Sequence, residues 1–594
     1  MILQALTRYY ETQREQDQIA PRYYTKTGVS YGLQLDVKGN LIGILPLKTP
    51  TERGKKSIEV PQQMQVPEQK IKAGTKPPAN FLCDNAAFML GLDTKDKPDQ
   101  ALMYFQTAKE LHLMILEGVK SESADVVRRF FESWFPKDAS ENKYIIPILK
   151  DLSKGGQFIF VLPEGTYAQN DTDIKFAWEQ FNITNQSSIR MQCLVTGMPD
   201  SPIALTHPKI WDLDPSQIFG GSLVSFNDSA YESYGHEMRI KTGQCLNAPV
   251  SEYASFAYTT ALNQLLADFP HRMSLNGDTV VCWAETGEAQ YQDAFMQLVD
   301  PRAKTENEVS KTLQNIVNGL PVDLENFHPE TPFYVLCLSP NAARVSVRFF
   351  LRDSFGRIAD HLAAHYQRLE IAMAPKEWLY LSISNLLKAT VTEKSDDKAA
   401  SPLLAGAVMR AVLSNAPYPP LLYSSVISCV RKERSANKVN RARAATIKAY
   451  LIKNITPTHP EYKEVLQVAL NEQSDLKPYV LGRLFSLLEQ AQENANPGIN
   501  TTITDRFFDS ASATPKLAFP TLLKLNRHHL AKDEQRGRSI NLEKLIIEIV
   551  GKLEAENAPY PSRLTLEEQG LFILGYYHQK QARYTKKTDF EKEN

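Results

Sequence analysis

Patterns that mark common classes of enzyme are missing from this 594-residue sequence. It has no G-x-x-x-x-G-K-[ST] loop for a nucleoside triphosphate, no H-E-x-x-H zinc motif and no His-Asp pair. His528 and His529 are adjacent, so on a helix their side chains diverge and cannot chelate one metal ion as an i,i+4 pair could. Asp171 and Asp173 have no further acidic partner in their segment, so a solvated turn explains them better than a metal site. We therefore expect no catalytic residue, no metal and no cofactor.

Paired cysteines and long apolar runs are also missing. The six cysteines lie far apart, and most are in apolar segments such as Val280–Trp283, which is typical of buried reduced thiols. No stretch reaches the ~18 apolar residues of a membrane span, and the first residues turn polar too soon for a signal peptide. These features predict a cytoplasmic protein with no membrane partner.

Net charge is nearly absent as well: 67 Lys and Arg residues stand against 68 Asp and Glu residues, for a formal charge of −1. A free-standing DNA-binding protein usually has a basic excess, because phosphate neutralisation dominates its affinity. Any contact with nucleic acid must therefore come from local patches or from partner subunits. The chain also exceeds the ~250–300 residues at which a single core stops growing, so we expect more than one domain.

The apolar patterns predict an α+β fold with a mixed α/β region at 1–390, a linker at 391–401 and an all-helical bundle at 402–594. In the first region we expect a hairpin at Tyr31–Leu47, a surface loop at Ile58–Pro78 and a second hairpin turning at Pro340 and Asn341. Helices are predicted at Ala101–Gly118 and Ser251–Asp268, and buried strands at Gln157–Leu162, Thr279–Ala284 and Phe333–Leu338. In the bundle, Thr565 and Glu568 have the spacing of a capping box.

Several short segments, in a fixed order along nearly the whole chain, resemble one known family: Thr75–Asn85, Cys193–Gly197, Val224–Asn227, Asn247–Glu252, Ala257–Asn263, Pro340–Arg344, Asn440–Ala445, Leu481–Phe485 and Leu566–Gln579. The family is the large subunit of the subtype I-C CRISPR Cascade interference complex, of the Csd type. The chain departs from the family pattern at Asp214–Gly221 and in extra residues around His236–Cys245, so family contacts through those loops are not transferred.

The resemblance implies a protein without catalysis at the 5′-handle end of an RNA-guided antiviral complex. It would recognise the protospacer-adjacent motif in duplex DNA, promote unwinding and R-loop formation, hold the displaced strand and help recruit a helicase-nuclease. The implied partners are CRISPR RNA, target duplex DNA, the displaced non-target strand, and the backbone, handle-binding and small subunits. Two rival functions stay open: a purely structural bridging subunit and a metal-dependent nuclease.

The family also makes its small subunit by internal translation of the C-terminal coding region. No methionine follows Met409 in this chain, so an internal start must use Met409 or a non-AUG codon. We predict a start at Val468, which would give a separate product of residues 468–594. A valine codon other than GUG, or the lack of a ribosome-binding sequence before it, would contradict this start.

Reading base pairs requires donors and acceptors on a short projecting loop, with cations for the phosphates. The Lys72–Asn85 loop has suitable side chains in Lys72, Lys76, Asn80 and Asn85. Asp84 and Asn85 also suit the capping of the helix that follows, and for them we favour that role. Asn227 is a further candidate, with an Asx turn as the alternative.

Two basic segments are candidates for contact with the nucleic-acid backbone or the displaced strand. Arg344 and Arg348 alternate with Val345, Val347 and Phe349, which predicts a strand with one basic and one buried face; an ordinary solvated face has an equal claim. The stretch 431–453 has Glu433 as its single acidic residue and suits the tracking of a single strand, with a solvated helix face as the alternative. Its candidates are Arg431, Lys432, Arg434, Lys438, Arg441, Arg443 and Lys448.

Overall fold

We describe the fold from a computed structural model, which covers the chain except for residues 54–55, 71, 73–75, 93–96, 153, 214–219, 227–228, 232, 234–244, 301–327, 375–376, 378–379, 394–399, 434–436, 500, 555–558 and 585–594. The chain forms two compact units, the first from Met1–Pro208 with Val224–Leu262 and the second from Lys209–Leu223 with Asn263–Asn594. The second unit includes residues from both sides of the predicted linker at 391–401, whose role as a boundary stays a prediction.

The first unit is built on two sheets and a short two-stranded ribbon. Its strands are β1 (Tyr24–Val29), β2 (Tyr31–Leu35), β3 (Leu41–Pro46), β4 (Lys48–Arg53), β5 (Lys56–Pro67), β6 (Cys83–Asn85), β7 (Gln157–Val161), β8 (Arg190–Met191) and β9 (Ser201–Pro202). One sheet has the order β1-β5-β4 and the other β3-β2-β7-β6, in which only β2 and β7 run parallel. The hairpin predicted at Tyr31–Leu47 is confirmed as β2 and β3.

The surface loop predicted at Ile58–Pro78 is wrong over its first half. Strand β5 is long and pairs with β1 on one side and β4 on the other. Its sequence misleads because many of the side chains described in it, at positions 59–67, are polar and exposed and form no buried stripe. Pro61 and Pro67 also favour a loop, because proline has no backbone N–H to donate to a neighbouring strand. In the structure, Pro61 pairs with a residue of β4 and Pro67 with a residue of β1.

Helices cover the larger sheet of the first unit and enclose an apolar core rich in aromatic rings, among them Phe81, Phe131 and Phe160. The helices that contribute to this core are α2 (Ala86–Met89), α3 (Pro98–Leu116), α4 (Glu122–Ser133), α5 (Leu149–Leu152) and α6 (Thr172–Thr184). Helices α1 (Ile2–Glu15) and α7 (Glu252–Ala267) pack against each other through Tyr10, Tyr253 and Phe256. The helices predicted at Ala101–Gly118 and Ser251–Asp268 are confirmed as α3 and α7. Asp171 is the N-cap of α6, where its carboxylate accepts the backbone N–H groups of Asp173 and Ile174.

An antiparallel sheet opens the second unit. It contains β10 (Arg272–Leu275), β11 (Asp278–Ala284), β12 (Pro332–Asn341) and β13 (Arg344–Ser354) in sequential order. Every residue of β11 is buried, and the apolar run Val280–Ala284 predicts this for most of the strand. The buried strands predicted at Thr279–Ala284 and Phe333–Leu338 and the hairpin after Pro340 are therefore confirmed.

The α-helices of the described second unit are α8 (Ala289–Val299), α9 (Phe355–Leu369), α10 (Ile383–Ala389), α11 (Pro402–Leu413), α12 (Pro420–Lys432), α13 (Arg441–Tyr450), α14 (Lys477–Ala495), α15 (Ile503–Ala513), α16 (Pro515–Lys532), α17 (Arg536–Glu554) and α18 (Leu566–Gln581). Sheet and helices share one apolar core. The mixed N-terminal region and helical C-terminal region agree with the predicted α+β class. The capping box of Thr565 and Glu568 is confirmed at the start of α18. Among the described helices, none is long and apolar enough to cross a membrane.

Candidate nucleic-acid interface

A buried carboxylate closes the loop between β5 and β6, the segment predicted to read DNA. Asp84 is completely buried, and its Oδ2 atom accepts the Lys72 ammonium at 2.6 Å and the backbone N–H of Asn80 at 2.9 Å. Its Oδ1 atom accepts the backbone N–H of Asn85 at 2.8 Å. Burial raises the pKa of Asp84, and Lys72 and the two backbone N–H groups act in the opposite direction. Asp84 therefore ties the two ends of the loop together.

Lys72 and Asn80 use their polar atoms inside this loop. The Lys72 ammonium also donates to the Pro78 carbonyl at 2.6 Å and lies 3.5 Å from the centre of the Phe88 ring. Asn80 is buried; its carbonyl oxygen accepts the backbone N–H of Lys70 at 2.9 Å, and its amide donates to Gln69 at 2.8 Å. Contact of either residue with DNA stays a prediction, and it would require these bonds to open.

The carboxyl end of the loop is anchored in the core of the first unit. Leu82 has a positive φ of 56°, and its backbone N–H donates to His112 Nε2 at 2.8 Å. Burial lowers the pKa of His112 to about 4, which keeps the ring neutral and able to accept this bond. Asn85 follows as the N-cap of α2, its side chain accepting the backbone N–H of Ala87. The capping role favoured for Asn85 is confirmed, whereas Asp84 braces the loop.

Lys76 is exposed and, unlike Lys72 and Asn80, its side chain has no polar partner among the described residues. It lies beside Pro77, which is buried and fixes the backbone direction on one side. Lys70 is exposed in this loop as well, whereas the ammonium of Lys72 is held by Asp84 and the Pro78 carbonyl. Asn227, the second candidate for reading bases, lies outside the described residues, as do all residues at 214–219 and 236–244, where the chain departs from the family pattern.

Two of the family-like segments meet at Cys193. Its sulfur accepts the backbone N–H of Ser251 at 3.2 Å and that of Thr196 at 3.5 Å. Burial raises the pKa of this thiol, but the hydrogen bonds from Ser251 and Thr196 outweigh burial and lower the pKa to about 7. The cysteine thus joins the turn that follows it to the start of α7. This contact gives the family-like segments Cys193–Gly197 and Asn247–Glu252 a shared structural role.

The strand carrying Arg344 and Arg348 does not present the predicted basic face. The register of β13 against β12 shifts between Cys337 and Leu338, which is a β-bulge, and Arg348 is the extra residue that it leaves unpaired in the ladder. The Arg348 guanidinium lies 3.1 Å from the buried carboxylate of Asp278. Val347 is exposed instead of buried. The predicted alternation is therefore confirmed at Val345 and Phe349, which are buried, and wrong at Val347, because the bulge breaks the period of two.

Most of the basic side chains described in the stretch 431–453 are buried in the second unit. Arg443 is only 3% exposed, and its guanidinium donates to the carbonyls of Ala389, Val391 and Lys438 at 3.2, 3.1 and 2.9 Å. It also lies 3.7 Å from the buried carboxylate of Glu433. Because Ala389 ends α10, the arginine satisfies carbonyls that a helix leaves without partners at its C-terminus.

Lys438 and Lys448 have similar internal roles. Lys438 donates to the Thr504 carbonyl at 3.1 Å, and Lys448 donates to the carbonyl of Glu370, the residue after α9. Burial lowers the pKa of both, that of Lys448 to about 8. The solvated basic helix face considered as the alternative is therefore wrong for these positions. Contact of Lys438, Lys448 and Arg443 with nucleic acid stays a prediction. Because these residues are buried, the structure does not support it.

Exposed cations remain at the end of α12. Lys432 is exposed, and Arg431 is partly exposed in an ion pair with Asp509. Arg441, at the start of α13, is 8% exposed and lies 4.0 Å from the Glu377 carboxylate. Arg434 lies outside the described residues. The structure thus divides the basic stretch into a buried structural set and a small accessible set.

The sequence patterns did not identify the residues that close the Lys72–Asn85 loop between β5 and β6, here called the motif loop. Gln69 and Lys70 belong to the predicted surface loop, and Asp84 was interpreted as a helix cap. The available signal was Asp84 itself, an acidic residue between the apolar residues Cys83 and Ala86 on a buried strand, where an isolated carboxylate requires a partner.

The C-terminal segment predicted as a separate product contains α14 to α18. Within it, α14 packs closely on α18, and Arg483 donates to Gln579 at 3.1 Å. Its contacts with the preceding chain include hydrogen bonds from Tyr577 to the Ala372 carbonyl and from Tyr423 to the Leu566 carbonyl. A separate product would lose these bonds; its synthesis stays a prediction.

Comparison with known families gives a match over nearly the whole chain. The family described as CRISPR-associated protein (Cas_Csd1) matches residues 6–584. A comparison with curated proteins found no match. The family match extends across both units and includes the motif loop and the helices of the basic stretch.

Proposed function

The chain belongs to the Cas_Csd1 family of CRISPR-associated proteins, a family of Cascade large subunits, and from this premise we propose that it belongs to subtype I-C and reads the protospacer-adjacent motif. Membership makes it a subunit of a ribonucleoprotein complex with other CRISPR-associated proteins. In the proposed role it binds the motif in duplex DNA, promotes unwinding and R-loop formation, and holds the displaced strand. A separate helicase-nuclease, recruited with its help, degrades the target.

The proposed partners are CRISPR RNA, both DNA strands, and the backbone, handle-binding and small subunits, in the cytoplasm. The chain has no catalytic role in this proposal. The formal charge of −1 supports dependence on partners, because a chain without basic excess has little non-specific affinity for DNA by itself. Other subunits of the complex would hold most of the RNA and supply the positive field around the duplex.

The observation that supports motif reading best is the closed base of the loop before β6. Asp84 and Asn80 hold the two ends of the loop together, and Lys76 is exposed on it. A loop whose base is already held closed loses less conformational entropy when it enters a groove than a loop without such bonds does, and this favours both affinity and discrimination. An ammonium group can contact a phosphate or the acceptor edge of guanine.

Two rival functions make different predictions. A purely structural bridging subunit predicts that reversing the charge of Lys76 leaves target binding unchanged. A metal-dependent nuclease predicts that the isolated chain cleaves DNA when a divalent cation is added. The proposed function predicts neither result.

We expect Lys76→Glu, in the assembled complex, to weaken binding to a duplex with an intact motif about tenfold. The physical reason is the loss of one cation–DNA contact and its replacement by repulsion from phosphate. Electrophoretic binding at one stated salt concentration measures the effect, with a scrambled-motif duplex beside it.

Lys137→Glu is the matched control, because Lys137 is also an exposed lysine of the first unit and the change in charge is the same. Equal weakening by both variants would attribute the effect to overall charge. Unchanged binding by Lys76→Glu would remove Lys76 from the interface.

A further inference from the structure

A cavity of about 420 Å³, lined by both apolar and polar side chains, lies within the second unit. One wall is formed by α10 and the residues before it, including Glu377 and Tyr380, and the other by the start of α13. Cavities of this size are in the range that holds one small ligand. None of the roles proposed above requires this cavity.

The polar side chains of its lining supply several hydrogen-bond donors. Lys388 is exposed and has no partner among the described residues. The side-chain oxygens of Asn385 and Asn440 are occupied by Ser382 and by the backbone N–H of Arg443, respectively. Their amide nitrogens have no acceptor in the described part of the chain and can donate to a ligand.

Positive charge exceeds negative charge in this lining. Lys388 and the largely buried Arg441 are cationic, and Glu377, 4.0 Å from Arg441, is the single acidic residue. Burial lowers the pKa of Arg441, but an arginine stays protonated near neutral pH. The backbone N–H groups at the start of α13 add partial positive charge. A ligand group with one negative charge matches this balance.

An aromatic face completes the cavity. Tyr380 is half-buried, and its ring packs edge-on against Tyr366, with 5.5 Å between the ring centres. That contact holds the ring in place while the residue also lines the cavity. A flat ligand such as a nucleobase can stack on such a ring.

We infer that this cavity binds one nucleotide of a single-stranded nucleic acid. The phosphate is held by Lys388 and Arg441, the base lies against Tyr380, and the amides of Asn385 and Asn440 donate to base oxygens or nitrogens. This assignment rests on the proposed function, in which the chain is near both CRISPR RNA and a displaced DNA strand. The shared chemistry is a phosphorylated nucleoside, and RNA and DNA are its two sources.

The test uses the full-length chain and fluorescent six-nucleotide RNA and DNA of one sequence, with binding measured by anisotropy at several salt concentrations. We expect Lys388→Glu to weaken binding about tenfold and to make the slope of log affinity against log salt shallower by about one. Lys524→Glu, an exposed lysine of α16 outside the cavity, should leave both quantities unchanged.

Stacking is tested at Tyr380. Tyr380→Phe keeps the ring and should preserve affinity, while Tyr380→Leu should weaken binding at least about fivefold. Thermal unfolding of each variant checks that the second unit is intact, and Lys388→Gln provides a milder change at an exposed position should Tyr380→Leu unfold.

Binding of RNA alone, of DNA alone or of both supports the site and identifies its source. Lack of binding by the unmodified chain, or equal affinities of the unmodified chain and Lys388→Glu, would overturn the inference. Because this experiment uses neither duplex DNA nor the adjacent motif, the nucleotide site can fail while motif reading stands, and the reverse also holds.

Discussion

Gly482→Ala is expected to destabilise the second unit by about 3 kcal/mol or more, because the added methyl group has no space. Gly482 lies where α14 crosses α18. A Cβ atom there would overlap the Phe572 carbonyl oxygen and lie 2.8 Å from its carbon and 2.9 Å from the Tyr576 nitrogen. These are backbone atoms of a helix, so the whole helix must shift. Chemical denaturation followed by circular dichroism measures the change.

The opposite helix has the same requirement at Gly575, where a Cβ atom would overlap the Tyr479 carbonyl. Gly551→Ala is the matched control, because a Cβ atom at this position of α17 meets nothing within 4 Å. That variant should be neutral or gain up to about 1 kcal/mol, since alanine favours a helix over glycine. Equal stabilities of Gly482→Ala and Gly551→Ala would contradict the close crossing.

Arg443→Met is expected to cost about 3–5 kcal/mol, the range found when one partner of a buried ion pair is removed. Methionine fills much of the same volume but donates no hydrogen bonds. The carbonyls of Ala389, Val391 and Lys438 then lose a donor, and the Glu433 carboxylate loses its cation. The unfolding midpoint in guanidinium chloride measures the loss.

Arg431→Met removes a cation from the same stretch of sequence and serves as the control. Its pair with Asp509 is exposed, with 38% of the arginine and 58% of the aspartate side chain accessible. Exposed pairs contribute about 0–1 kcal/mol. If Arg431→Met were as destabilising as Arg443→Met, the division of the basic stretch into buried and accessible cations would be wrong.

Local patterns in the sequence predicted many elements of this fold. The strand pattern at Tyr31–Leu47, the apolar run Val280–Ala284 in β11 and the helical spacing of α3 each report how one chain segment is buried against its own surroundings. The capping box at Thr565 also depends on residues three positions apart. Such features follow from local geometry, and they were confirmed.

The errors concern partners that are distant in the sequence. Arg443 looks like a solvated cation until the ends of α10 and α13 are brought together, and the bulge at Arg348 depends on the register against β12. Strand β5 has few apolar residues, so only its two neighbouring strands identify it. In the candidate site, the composition identified the motif loop. It could not show which of the side chains are bonded within the protein and which are exposed and available to DNA.

The central claim is that this chain supplies motif recognition to the complex. The most direct measurement compares the assembled complex with and without the chain on duplexes carrying an intact or a scrambled adjacent motif, at one stated salt concentration. The account predicts that the complex lacking the chain binds both duplexes equally, and that restoring the chain restores the preference. A preference for the intact motif that survives without the chain would contradict the account and assign motif reading to another subunit.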